Sequence, residues 1–187
     1  MATEREAKFR VREHDSVRRA LTAAGARRVG VVFERNRVLD RTDGELRLRG
    51  SALRLRTCDV LDGPPHPPLL TFKGPAGPSR FKAREELETE VSNTEATLAI
   101  LLALGFAESV YYEKRRESWL LADCKIELDE LPELGFFVEI EGCSDHTIED
   151  VGSRLGLSEF EHIAEGYLAL IAEHCRKLGR KKLHIAF

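Results

Sequence analysis

No apolar stretch in this chain approaches the ~20 residues that a membrane-spanning helix needs. The opening Met1-Ala2-Thr3-Glu4-Arg5-Glu6 lacks the apolar core of a secretory leader. No membrane partner is expected, and a cytoplasmic location is. Cysteine is sparse, with only Cys58, Cys124, Cys143 and Cys175, and no C-x-x-C or other zinc-type spacing. This argues against a disulfide framework and predicts four reduced thiols. His14, His66, His146, His162, His174 and His184 form no metal-ligand spacing either. There is no G-x-x-x-x-G-K-[ST] phosphate loop and no G-x-S-x-G elbow. Repeats and low-complexity tails are also missing. Charge of one sign is missing too: the net charge is only -3, which argues against a nucleic-acid partner.

Charge of both signs is abundant. Asp, Glu, Lys and Arg make up 33% of the 187 residues, above the usual ~25%. The length suits one domain with a real core. A first helix is expected from an Asp15 or Ser16 cap to Gly25, with Val17, Leu21 and Ala24 on one face. Strands are expected over 31–41, 52–60, 69–73, 80–91, 110–121, 125–131 and 136–141, with a short strand-like stretch at 46–49. Further helices are expected over 94–104, 147–155 and 161–178. Many antiparallel strands broken by a few helices indicate an α+β fold.

Side chains alternate faces along a strand. In the first strand one face reads Glu4, Glu6, Lys8, Arg10, Arg12, and the other Arg5, Ala7, Phe9, Val11. The pattern recurs. Arg54 and Arg56 oppose Leu53 and Leu55, while Thr71 and Lys73 oppose Leu70 and Phe72. Arg80, Lys82, Arg84, Glu86, Glu88 and Glu90 share one face, as do Lys114 and Arg116. Glu127 and Asp129 oppose Ile126 and Leu128; Glu139 and Glu141 oppose Val138 and Ile140. One reading keeps these faces in bulk water. The other closes the sheet into a barrel with the ions inside and the apolar faces under helices. Burying so many ions is costly unless they are compensated, so such a tunnel must be wet, open-ended or ligand-filled. On the residues alone both readings stand.

The order of motifs resembles one family. Glu4-x-Glu6-x-Lys8 is similar to the ExExK signature of the CYTH superfamily, the triphosphate tunnel metalloenzymes. Leu53-Arg54-Leu55-Arg56, Thr71-Phe72-Lys73-Gly74-Pro75, Arg84-x-Glu86-x-Glu88, Lys114-Arg115-Arg116, Leu128-Asp129 and Leu134-Gly135-Phe136-Phe137-Val138-Glu139-Ile140-Glu141 resemble its later motifs in order. The likeness covers about 3–170 and implies a single CYTH domain over 1–187, with a C-terminal helix and tail at 161–187. It implies an eight-stranded antiparallel β-barrel with helices packed outside. By resemblance, Glu4, Glu6, Asp129, Glu139 and Glu141 hold Mg²⁺ or Mn²⁺, with Glu88 a lesser candidate. Lys8, Arg54, Arg56, Lys73, Arg84, Lys114 and Arg116 would bind a triphosphate. Lys73 is also a candidate base, on the premise that neighbouring cations lower its pKa. Dimers are common in the family, so a homodimer is among the expected states.

Phosphoryl transfer needs positioning and stabilisation of spreading negative charge, which metal and arginines supply. The resemblance implies a class IV adenylyl cyclase-type enzyme, converting ATP to cyclic AMP and pyrophosphate. The alternative is a triphosphatase acting on inorganic, thiamine or nucleoside triphosphate. A non-catalytic polyphosphate- or nucleotide-binding module comes third. One departure is Glu34-x-Asn36-x-Val38-x-Asp40, where many relatives carry an aromatic at the place of Val38. Asp40 reads as a strand end entering an Asp-Gly turn. Tyr111, Tyr112 and Trp119 read as packing aromatics rather than a base-stacking set.

Overall fold

The alternating segments become strands that close on one another. The computed structural model describes residues 2–75, 77 and 82–187, and only the backbone of 2–4, 82 and 83. Among the described residues the first half contains β1 (Ala2–Val11), α1 (Asp15–Ala23), β2 (Arg27–Arg41), α2 (Glu45–Leu48), β3 (Ala52–Asp62), β4 (Leu69–Lys73) and β5 (Lys82–Glu90). The second half contains α3 (Thr94–Ala103), β6 (Phe106–Leu121), β7 (Cys124–Leu131), β8 (Gly135–Glu141), α4 (Asp145–Arg154), α5 (Tyr167–Lys177) and β9 (Leu183–Ile185). The sheet order is β2-β3-β4-β5-β1-β8-β7-β6, and β2 also pairs with β6, so the circuit closes. Every pairing in that circuit is antiparallel. The expected eight-stranded antiparallel barrel is therefore present. β9 is an addition, pairing parallel with β6 at Val110–Tyr112.

Closure separates the two faces of each strand. The outward row Ala7, Val11, Ile126, Leu128, Val138 and Ile140 packs under Val17 and Leu21 of α1 and Ile148, Val151 and Leu155 of α4. Leu39 and Leu55 pack with Leu98 and Leu101 of α3. Burial of these side chains is worth ~1.5–3 kcal/mol each, and it is what holds the charged face inward.

The helix ends follow local chemistry. Asn93 accepts from the Ala96 N–H at 2.9 Å and Ser144 from the Thr147 N–H at 3.1 Å, as their residue types predict. In α1 the cap comes from Glu13 instead, whose carboxylate accepts from the N–H groups of Asp15 and Ser16. The expected strand-like stretch at 46–49 is corrected to the single helical turn α2. Asp40 causes this: its carboxylate accepts from the N–H groups of Leu46 at 2.8 Å and Arg47 at 3.0 Å. The turn reading of Asp40 thus matches its contacts.

The last long helix starts at Tyr167, not at 161. Among the described residues β5 pairs with β1 as far as Glu6; beyond it, β1 has further backbone partners on that side. The chain at 161–163 supplies them: Arg10 N–H donates to the Glu161 carbonyl and Ile163 N–H to the Lys8 carbonyl. Backbone groups committed to that pairing cannot also form a helix. α5 then packs on Val38, Val110, Tyr112, Leu131 and Phe137, which lie on the inward parity of their strands. It closes one end of the barrel, unlike α1, α3 and α4, which cover its outside.

Candidate functional site

A cavity of 1010 Å³ runs through the barrel. Strand parity delivers its charge. Lys8, Arg54, Arg56, Lys73, Arg84, Lys114 and Arg116 all line it, as do Glu6, Glu86, Glu88, Glu139 and Glu141. Of the expected residues, only Glu4 and Asp129 are not among the lining. The side chain of Glu4 lies outside the described residues.

The ions are held in a layered network. Lys8 Nζ lies 3.1 Å from Glu139 and 3.8 Å from Glu6, and donates to the Glu165 carbonyl at 3.3 Å. Burial pulls the Lys8 pKa down, but Glu139 and Glu6 more than offset it and raise it above the usual lysine value. Burial pushes Glu139 up, yet Lys8, Arg116 and Lys114 hold it well below the carboxylate range. Arg116 grips Asp129 with two parallel bonds of 2.7 and 2.6 Å and reaches Glu139 at 2.5 Å. Such bidentate forks are among the strongest polar contacts. Lys114 donates to Asp129 at 3.0 Å.

Asp129, an expected metal ligand, lies among cations. Its carboxylate is 0% exposed and accepts from Lys114, Arg116 and the Tyr167 hydroxyl. These bonds fix the direction of two cations. Lys73, the expected candidate base, pairs its ammonium with the Glu86 carboxylate.

The donor chemistry fits a divalent metal. Glu6 and Glu141 are register partners on β1 and β8, and both face the cavity. Mg²⁺ is usually held by one or two carboxylates plus substrate phosphates, and not by an all-protein cage. Accordingly, among the described residues no three His, Cys, Asp or Glu side chains cluster as a ready metal site. Glu88, the lesser candidate, lines the cavity and accepts from the Thr71 hydroxyl at 2.7 Å.

Three participants were not assigned from the sequence. Tyr167 donates to Asp129 at 2.8 Å, and its ring carries Lys8 Nζ at 4.3 Å and Lys114 Nζ at 5.2 Å. Burial, then Asp129 and Glu139, push its hydroxyl pKa well above the usual value, so it stays a donor. Glu34 is buried among Arg56, Lys114 and Arg116. Its place on the parity of Asn36 was the available signal. Tyr112 lines the cavity beside Arg54. Trp119 packs in the outer core, and Tyr111 stacks on His184, as the packing reading expects.

Val38, Leu39, Val110, Tyr112, Leu168 and Leu183 also line the cavity. Among the described residues no helix is long and apolar enough to cross a membrane.

The CYTH domain family matches residues 2–167. A candidate adenylate cyclase of Methanocaldococcus jannaschii is 27% identical over 174 residues, covering 88% of this chain and 96% of the relative. A solved Pyrococcus horikoshii OT3 protein superimposes with a TM-score of 0.76 at 26% identity, over 89% of this chain and 98% of its own. A Hippeastrum protein, described as a candidate adenylyl cyclase with a dominant triphosphatase activity, has a TM-score of 0.68 at 16% identity, over 96% and 97% of the two chains. This chain belongs to the CYTH domain family, a group of triphosphate tunnel enzymes that are generally divalent-metal dependent.

Proposed function

We propose that the chain is a metal-dependent adenylyl cyclase of the class IV type, converting ATP to cyclic AMP and pyrophosphate. The observation that carries this reading is one cavity with two kinds of wall. The seven expected cations line it, and so do the apolar side chains of Val38, Val110, Leu168 and Leu183. A bare inorganic triphosphate would use only the ionic part. A nucleoside triphosphate uses both, and 1010 Å³ is ample for it.

In this reading Lys8, Arg54, Arg56, Lys73, Arg84, Lys114 and Arg116 hold the triphosphate oxygens. The guanidinium forks orient the chain and spread the charge that develops at the leaving group. Glu6, Glu139 and Glu141, with Glu4, are the proposed ligands for Mg²⁺ or Mn²⁺. A bound divalent ion would supply Lewis-acid neutralisation of phosphate oxygens. Asp129 and Tyr167 keep Lys114 and Arg116 aimed at the substrate. The wall at Val38, Val110, Tyr112 and Leu168 seats the nucleoside. The ribose 3′ hydroxyl gives up its proton to solvent as its oxygen bonds to the α-phosphorus, the bond to the bridging oxygen breaks, and pyrophosphate departs with its charge balanced by the cations.

The second reading is a triphosphatase, in which water attacks the terminal phosphorus on the same clamp. The Hippeastrum protein's described activity is the precedent for this within the fold. Purified protein incubated with ATP, and separately with inorganic triphosphate, with Mg²⁺ or Mn²⁺, separates the two. Chromatography should find cyclic AMP and pyrophosphate. Orthophosphate from inorganic triphosphate, with ATP untouched, would replace the cyclase by the triphosphatase.

A further inference from the structure

Glu34 is a buried acid in the middle of the cations, and the mechanism above gives it no task. It comes from β2 on the inward parity and is 1% exposed. Arg56 Nε stands 3.4 Å away, Lys114 Nζ 3.5 Å and Arg116 Nε 3.8 Å. Charge-assisted hydrogen bonds are shorter, about 2.7–2.9 Å. The short contacts of Lys114 and Arg116 go instead to Asp129 and Glu139. Asn36 Nδ2 donates to Glu34 at 3.3 Å and Arg56 Nε donates to Asn36 Oδ1 at 3.2 Å, so the amide spaces the acid from the arginine. Glu34 is thus a central counter-charge, not a clamp. Arg56, Lys114 and Arg116 line the cavity, whereas Glu34 stands in the wall behind them.

We propose that Glu34 is a resident counter-anion that competes with substrate phosphates for Arg56, Lys114 and Arg116, and so limits how tightly polyphosphate is held. The inference rests on the phosphate-binding role given to those cations above. Three cations converging without a ligand repel one another, and a buried carboxylate among them offsets that repulsion. The same carboxylate repels an incoming polyanion at short range and low dielectric. The empty tunnel is stabilised at the expense of affinity, which favours release of a polyanionic product.

The test is calorimetric titration of the full chain with sodium tripolyphosphate, without added metal and at fixed ionic strength. Glu34→Gln keeps the shape and removes the charge. It should tighten binding about tenfold or more. Glu34→Asp keeps the charge and should stay within about threefold of the wild type. A purely structural role would weaken binding in both variants. Unchanged or weaker binding in folded Glu34→Gln overturns the inference. Should Glu34→Gln not fold, Cys58→Asp gives an independent answer. Cys58 is the register partner of Glu34, is half-buried, and feels Arg56, Lys114 and Arg116. A second carboxylate there should weaken binding about tenfold, and no change would overturn the proposal. A wild-type chain that does not bind tripolyphosphate refutes the phosphate-binding reading itself, and this inference with it. Wild-type binding that ignores these charges refutes the inference alone.

Discussion

Replacing Asp129 by asparagine tests whether its role is structural. The carboxylate is fully buried and accepts from Lys114 at 3.0 Å, Arg116 at 2.7 and 2.6 Å, and Tyr167 at 2.8 Å. An amide keeps the volume but removes the charge and turns an NH₂ donor toward other donors. Breaking one partner of a buried ion pair costs ~3–5 kcal/mol. Arg116 retains Glu139 at 2.5 Å and Lys114 retains Glu34 at 3.5 Å, which places the expected loss near ~3 kcal/mol. Against a total of ~5–15 kcal/mol this is a large fraction. Equilibrium urea unfolding, followed by circular dichroism without ligand, measures it directly. Saturating tripolyphosphate should restore part of the loss, because it neutralises the freed cations and binds only the folded state; at a hundred times Kd the gain is ~2.7 kcal/mol. A loss below ~1 kcal/mol with unchanged denaturant slope would refute the reasoning.

Three other outcomes follow from the same contacts. Glu6→Gln should abolish metal-dependent turnover while leaving the circular dichroism spectrum and melting temperature near those of the wild type; near-normal turnover would remove Glu6 from the metal site. Asp40→Ala removes the acceptor for the N–H groups of Arg41, Leu46 and Arg47. It should cost ~1–2 kcal/mol and speed hydrogen exchange in 42–51, and unchanged exchange there would contradict the capping role. Stability should be flat in the middle of the pH range and fall at both ends. Glu139 and Glu34 titrate below their ordinary 4.5 in the folded chain, so their contribution is present above that value and is lost as pH falls through the folded pKa. Lys8 and Tyr167 are raised above 10.5 and 10.0, so theirs is complete below those values and is lost as pH rises through the folded pKa. Urea midpoints across pH would show it, and a rise in stability on acidification below 4.5 would contradict the carboxylate assignments.

The cations of the tunnel were legible because alternation is local. Arg54, Arg56, Lys114 and Arg116 face the same way as their strand dictates, whatever the strand pairs with. The start of α3 was legible for the same reason, since the Asn93 side chain and an N–H three residues on suffice. The cap of α1 was misplaced by a residue or two, because Glu13 reaches forward over His14. The one-turn α2 was missed because its organiser, Asp40, belongs to the preceding strand. The start of α5 was misjudged because 161–163 answers to backbone groups on β1, at the far end of the sequence.

What the sequence by itself determined is therefore which side chains share a face, and with it the charge content of the tunnel. What only the tertiary structure decided is closure and partnership. Whether the ionic face meets water or itself depends on β2 reaching β6, a pairing between distant segments. Which acid meets which cation depends on distances across the barrel. Asp129 and Glu139 sit on neighbouring strands of one charged face, yet the first is taken up by Arg116, Lys114 and Tyr167 while the second also meets Lys8. Coulomb and hydrogen-bond energies fall off over a few ångströms, and period-two alternation carries no information about separations of that kind.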